Sequence, residues 1–181
     1  MRILAPAEAL RAARALLNLS QRGVAERAGI SQKSLSVVEN SSYLLADTNL
    51  LLVDFYLANN IQFLGEASIG SEITRCGVRW AAPSSQVTGK ALEGLHAMDV
   101  AVSFKAARAF LGREQTDVAA AAGLTPAAVK GLEAGKTWAE SYQTLVRYYK
   151  AEGLEFTGWG DPSTGKYYGV GVQWGSDKAR S

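Results

Sequence analysis

The chain has 181 residues, enough for one ordinary domain or two small ones, and its 48% hydrophobic and 20% charged side chains suit a globular protein. A net charge of +2 neither demands nor excludes a polyanionic partner. One Cys and one His exclude an internal disulfide and argue against a protein-only metal site, and no run of eighteen uncharged apolar residues predicts a membrane span.

The N-terminal stretch MRILAPAEALRAARALL lacks an unbroken apolar segment, because Pro6, Glu8, Arg11 and Arg14 interrupt it, so a cytoplasmic protein is expected. Leu10, Ala13, Leu16 and Leu17 recur at helical spacing and predict a first helix ending near Asn18. Ser20 is placed to cap a second helix over 21–28, with Val24, Ala25 and Ala28 inward. Gly29 follows, where a helix end needs a residue that tolerates positive φ. Ser31 caps a third helix through about Glu39, with Leu35 and Val38 inward, and TNLLLVDFYLANN predicts a fourth, capped by Thr48. Residues 61–80 then read as two strands joined by a polar loop. AAPSSQVTGK (81–90) has linker composition, and a short helix is expected over 91–98, with His96 on its surface.

From there the pattern returns. AARALLNLSQRGVAERAGISQKSLSVVE (12–39) lies over AARAFLGREQTDVAAAAGLTPAAVKGLE (106–133) without a gap, at a constant offset of 94, with eleven of twenty-eight positions identical. The hairpins follow: Val78 and Trp80 fall on Val172 and Trp174, and Phe63 on Phe156 after one residue of slippage. A tandem duplication is expected: unit one over 1–80 (helices to about 60, hairpin 61–80), a linker over 81–98, and unit two over 99–181 (helices to about 152, hairpin 154–174, tail 175–181). Charge follows the same plan. Residues 7–40 and 100–136 each carry five basic against three acidic side chains, while 41–80 carry two against four.

A short helix, a glycine turn and a second helix opening on small polar residues is the helix-turn-helix pattern. Its reading helix needs hydrogen-bonding side chains at its start, which Gln32, Lys33 and Ser36 supply. LSQRGVAERAGISQKSLSVVEN resembles the Cro/cI-type (XRE) family of helix-turn-helix DNA-binding regulators, and REQTDVAAAAGLTPAAVKGLEAGK looks like a second copy; together they cover roughly 7–60 and 101–152. Hairpins like 61–80 and 154–174 also resemble those that end some small family members. The resemblance implies a mainly α fold with a small β part: two lambda-repressor-like helical domains, each with a C-terminal β-hairpin. It implies that Gln21 and Gln115 anchor to phosphate, that Gln32 and Lys33 read adenine and guanine edges, and that Ser31, Ser34 and Asn40 touch phosphates. Arg22 and Thr116 are neighbouring candidates. The family's pairing of a first-helix Arg with the Glu closing the third helix has two counterparts here, Arg14/Glu39 and Arg108/Glu133, each 25 residues apart.

Unit two departs at its reading helix, where Pro126, Ala127 and Ala128 replace polar residues and leave Thr125, Lys130 and Lys136 as candidate contacts. Glu114 replaces the capping Ser20 and would sit close to a phosphate. Weak readout, phosphate binding and a different partner all stay open for this unit. Tyr168, Val170, Val172 and Trp174 alternate like one half-buried strand, as do Cys76, Val78 and Trp80, so core packing is expected of both sets. No nucleophile elbow, phosphate loop or Cys/His pair is present, and neither enzyme activity nor a cofactor is expected.

Since an isolated hairpin is marginal in water, the two hairpins are expected to pack together as an intrachain pseudo-dimer. The chain thus reads as a sequence-specific double-stranded DNA-binding transcriptional regulator, nucleoid-associated and of phage or mobile-element type. Helix 31–39 would read the major groove and 125–133 would be a weaker or phosphate-dominated head. The alternatives are a regulator whose unit two docks RNA polymerase or another regulator, and an autoregulating antitoxin. Further homo-oligomerisation stays open.

Overall fold

The structure, a computed structural model, describes residues 3–40, 45–66, 74–83, 86–87 and 89–176. The tip of hairpin 61–80, part of the linker and most of tail 175–181 lie outside the described residues. Helices α1 (Ala7–Leu16), α2 (Gln21–Ala28), α3 (Gln32–Asn40) and α4 (Ala46–Ala58) precede strands β1 (Ile61–Glu66) and β2 (Thr74–Trp80). A second set follows: α5 (Phe104–Leu111), α6 (Gln115–Ala122), α7 (Pro126–Glu133) and α8 (Ala139–Ala151), then β3 (Leu154–Phe156), β4 (Trp159–Asp161), β5 (Lys166–Tyr168) and β6 (Gly171–Trp174). Among the described residues no helix is long and apolar enough to cross a membrane.

Local chemistry sets the helix starts. Ser20 Oγ accepts from Gly23 N at 3.0 Å, Ser31 Oγ from Ser34 N at 3.0 Å, and Thr125 Oγ1 from Ala128 N at 3.1 Å. Gly29 and Gly123, at φ +70° and +67°, end α2 and α6. The fourth helix begins earlier than expected, with Leu45 at its cap and Thr48 already inside the first turn. Asn49 fixes that turn: its buried amide exchanges bonds of 2.9 and 2.8 Å with the backbone of Ala5, pinning α4 to the N-terminal segment.

The connector is not the helix expected over 91–98. A 3-10 turn spans Gly89–Leu92, and Met98 leaves helical geometry because its backbone exchanges two 2.9 Å bonds with Tyr167. His96 is exposed outside any helix, its ring stacked at 3.5 Å on Trp80.

The strands form one antiparallel sheet in the order β1-β2-β6-β3, with β4 and β5 as a separate pair. Residues 168–174 are therefore not one alternating strand. Gly169, at φ +59°, turns the chain between β5 and β6, so Tyr168 belongs to the small pair while Val172 and Trp174 belong to the sheet. Core packing still holds for Cys76, Val78, Trp80, Tyr168, Val170 and Val172, all buried, whereas Trp174 is half-buried with its ring edge-on to Phe110 at 5.2 Å. Helices α1 and α5 lie against each other beside the sheet, and their buried alanines (Ala9, Ala12, Ala13, Ala106, Ala107) permit close approach of the backbones. One hydrophobic cluster runs through both sets of helices.

Strands β2 and β6 meet with Gly77 opposite Gln173, Val78 opposite Val172 and Arg79 opposite Gly171. Side chains are excluded at both glycines. A Cβ at Gly77 would lie 2.4 Å from Gln173 Cβ, and one at Gly171 would lie 2.1 Å from the carbonyl oxygen of Val78. Gly77→Ala and Gly171→Ala should each destabilise the protein by about 1–3 kcal/mol. At about 2–4 °C per kcal/mol for a chain of this size, that is visible in thermal unfolding. Gly23→Ala, in the first turn of α2 with its nearest contact at 3.4 Å, should have the opposite sign. Equal effects at all three positions would mean that the β2–β6 approach is not sterically limited.

Candidate nucleic-acid interface

Helix α3 is held from its buried end. The carboxylate of Glu39, with its side chain 0% exposed, accepts from Arg14 Nε at 2.7 Å, Arg14 Nη2 at 2.9 Å and Gln21 Nε2 at 2.9 Å. This ties α1, α2 and α3 together through one buried anion. The third Arg14 nitrogen, Nη1, reaches the Leu19 carbonyl at 3.5 Å, just before α2. The second set of helices has the same arrangement: Glu133 accepts from Arg108 at 2.5 and 3.1 Å and from Gln115 at 2.7 Å, and Arg108 Nη1 donates to Arg113 O at 3.0 Å. The Glu133 bond pushes the Arg108 guanidinium above its ordinary value, against the opposing effect of burial. Tyr56 and Tyr149 are buried near the two carboxylates, and burial raises both phenols.

Both glutamines expected on phosphate thus have an intramolecular partner. An amide nitrogen carries two hydrogens, so the bond to glutamate leaves each a donor for an outside acceptor.

The start of α3 faces outward. Gln32 and Lys33 are exposed, Ser34 and Ser36 are half-buried, and Ser31 is exposed with its hydroxyl 2.8 Å from that of Ser34. Asn40 is exposed and its amide turns back to Ser36 O at 3.0 Å. Arg22 stands on the neighbouring α2 surface in an exposed 3.0 Å pair with Glu26. Gln32, Lys33 and Ser36 therefore lie on the first turns of a helix whose other end is clamped, an arrangement suited to presenting donors and acceptors to a groove.

The same surface in unit two has other chemistry. Thr125, Pro126, Ala127, Lys130 and Lys136 are exposed, as is Thr116. Glu114 is exposed at the cap of α6, where its backbone N donates to Asp117 Oδ2 at 3.3 Å. Trp138 was not singled out from sequence. It is 46% exposed, packs over Gly131 of α7 so closely that a Cβ there would lie 2.6 Å from its ring, and carries the Lys136 ammonium 5.1 Å from its centroid. A tryptophan two residues after Lys136, just past α7, was the available signal.

Residues 10–53 match the helix-turn-helix family model, of the Cro/cI type. The matched segment contains all of α2 and α3 with most of α1 and α4, and it suggests a DNA-binding transcriptional regulator. Neither the curated proteins nor the solved structures include a significant match to the chain.

Removing one partner of a buried pair strands the other, so Arg14→Met should destabilise the protein by about 3–5 kcal/mol in urea unfolding. Gln21→Ala removes a single bond to a charged acceptor and should cost about 1.5–3 kcal/mol. An Arg14→Met loss below about 1 kcal/mol, the level of exposed pairs, would show that the clamp does not hold α3.

Proposed function

We propose that the chain is a sequence-specific double-stranded DNA-binding transcriptional regulator, with α3 as its principal reading helix in the major groove. The observation that carries this reading is the exposed pair Gln32 and Lys33 on the first turn of a helix whose far end is anchored by Glu39, within a segment that matches the helix-turn-helix family. Gln32 has the amide that pairs with adenine N6 and N7, and Lys33 the ammonium that reaches guanine O6 and N7. Ser31 and Ser34 stand beside them, Gln21 and Arg22 on α2 and Asn40 at the far end of α3, and these serve the phosphates; Ser36 is one helical turn further along α3.

Unit two is the weaker head, dominated by phosphate contacts from Lys130 and Lys136 with Thr116 and Thr125 beside them. In this reading the chain is a tandem duplication folded as an intrachain pseudo-dimer. Register supports it: Val78 pairs with Val172, its own aligned position, while Gly77↔Gln173 and Arg79↔Gly171 are exchanged by the 94-residue offset. A twofold axis imposes that reciprocity on any self-complementary interface. Two heads so joined would suit half-sites about 34 Å apart, unequal in sequence because the heads differ. The exposed Trp138 and the small side chains at the start of α7 favour one second reading, in which unit two docks RNA polymerase or another regulator.

Binding to a duplex selected from a randomised library separates these readings. Gln32→Ala with Lys33→Ala should weaken the selected site by about 2 kcal/mol or more, roughly 30-fold, and flatten its sequence preference. Lys130→Ala with Lys136→Ala should lower affinity for all duplexes alike and reduce the log–log salt slope by about 1.8, at about 0.9 per phosphate. Unchanged affinity in the first variant would overturn α3 as reader. An unchanged slope in the second would favour docking for unit two.

A further inference from the structure

Arg11, on α1, has no part in the Arg14–Glu39 clamp, yet three backbone carbonyls from two helix ends converge on it. Its Nε donates to Ala109 O at 2.9 Å and its Nη2 to Phe110 O at 3.1 Å, both in the last turn of α5. Its Nη1 donates to Glu39 O, one residue from the end of α3. Last-turn carbonyls carry the negative end of the helix dipole and keep acceptor capacity: Ala109 O also takes Gly112 N at 3.1 Å, and a carbonyl has two lone pairs. One guanidinium therefore caps the reading helix of unit one and the first helix of unit two at the same time. The guanidinium fork is planar and rigid, so three simultaneous bonds constrain angle as well as distance. The side chain is partly buried in this joint, and that burial lowers its pKa against the raising influence of Glu8 and Glu39.

The reverse contact is different. Lys105, the residue 94 positions on, donates to the Asn18 side chain at the exposed end of α1. A lysine ammonium lacks the fork, and Asn18 belongs to no reading helix. Among the described hydrogen bonds, Arg11 is the side chain that bonds both a reading helix and the opposite set of helices.

We infer that Arg11 is a positioning residue: it locks α3 to unit two, and thereby fixes the spacing and angle at which the two heads meet a duplex. The spacing part rests on the proposal that both heads engage DNA; the locking part does not.

Two measurements test it separately. Nitroxide labels at the aligned positions, Lys33→Cys and Ala127→Cys, report the head-to-head distance without DNA, since the one native cysteine, Cys76, is buried. A narrow distribution is expected for Arg11, a clearly broader one for Arg11→Met, and an intermediate width for Arg11→Lys, with helical content by circular dichroism retained. An unchanged distribution in folded Arg11→Met, or in Arg11→Lys should the Met variant not fold, overturns the inference.

The second measurement uses the library-selected duplex with its centre lengthened or shortened by two base pairs, beside a duplex carrying only the half of the site that α3 reads. The parent protein should lose about 100-fold in affinity when the spacing changes, the lower range of a lost two-point attachment. Arg11→Met should lose most of that discrimination while its half-site affinity stays within about twofold. A parallel fall in half-site and full-site affinity with the spacing optimum kept would mean that Arg11 only supports α3, and would overturn the positioning role. If the parent protein selects no duplex, the DNA-binding proposal fails, and the label distances still decide the locking.

Discussion

A carboxylate with no solvent exposure holds this architecture together. Glu39 would be strongly unfavourable in the core alone, and it is tolerated because Arg14 and Gln21 supply three hydrogen bonds to it. Those donors stand on α1 and at the start of α2, so the anion can be satisfied only when three helices hold their native angles. Apolar packing of Val24, Leu35 and Val38 favours burial without choosing one orientation; the charge network does choose. Glu133 with Arg108 and Gln115 does the same in unit two. The scaffold is thus nearly equal in the two units while the exposed starts of α3 and α7 differ.

Much of this was legible in the sequence, for a consistent reason. Arg14/Glu39 and Arg108/Glu133 share one spacing, and Gln21 and Gln115 one offset, so the network is locatable from sequence, whereas the bonds of the two glutamines to glutamate are visible only in the fold. Caps at Ser20, Ser31 and Thr125 are local chemistry and read directly. Thr48 failed as a cap because Asn49 answers to Ala5, 44 residues away, and no local rule contains that contact. The strand expected to run through 168–174 broke because alternation cannot report where Gly169 turns the backbone. The helix expected over 91–98 gave way to the pairing of Met98 with Tyr167. Arg11 and Trp138 carry no motif. Their roles come from a carbonyl cluster and a ring-on-glycine contact that exist only after folding.

Asymmetry between the units is concentrated on the surface. The fourth helix of unit one exposes Leu51 and Leu57, whereas α8 presents Thr144 and Lys150 at the corresponding turns. The start of α7 has fewer hydrogen-bonding groups than that of α3, and the connector is fastened through the backbone pair of Met98 with Tyr167.

The pairing of β2 with β6 has a consequence for dosage. A protein that assembles its two heads from separate chains loses one of them on dilution, so its active form varies with the square of chain concentration when it is scarce. Here both strands belong to one polypeptide, and the effective concentration of β2 for β6 is set by the intervening chain and not by the cell. For a regulator of the kind proposed, occupancy would follow the number of chains in direct proportion. The joining of β2 to β6 would then add no assembly threshold of its own, even at a few molecules per cell.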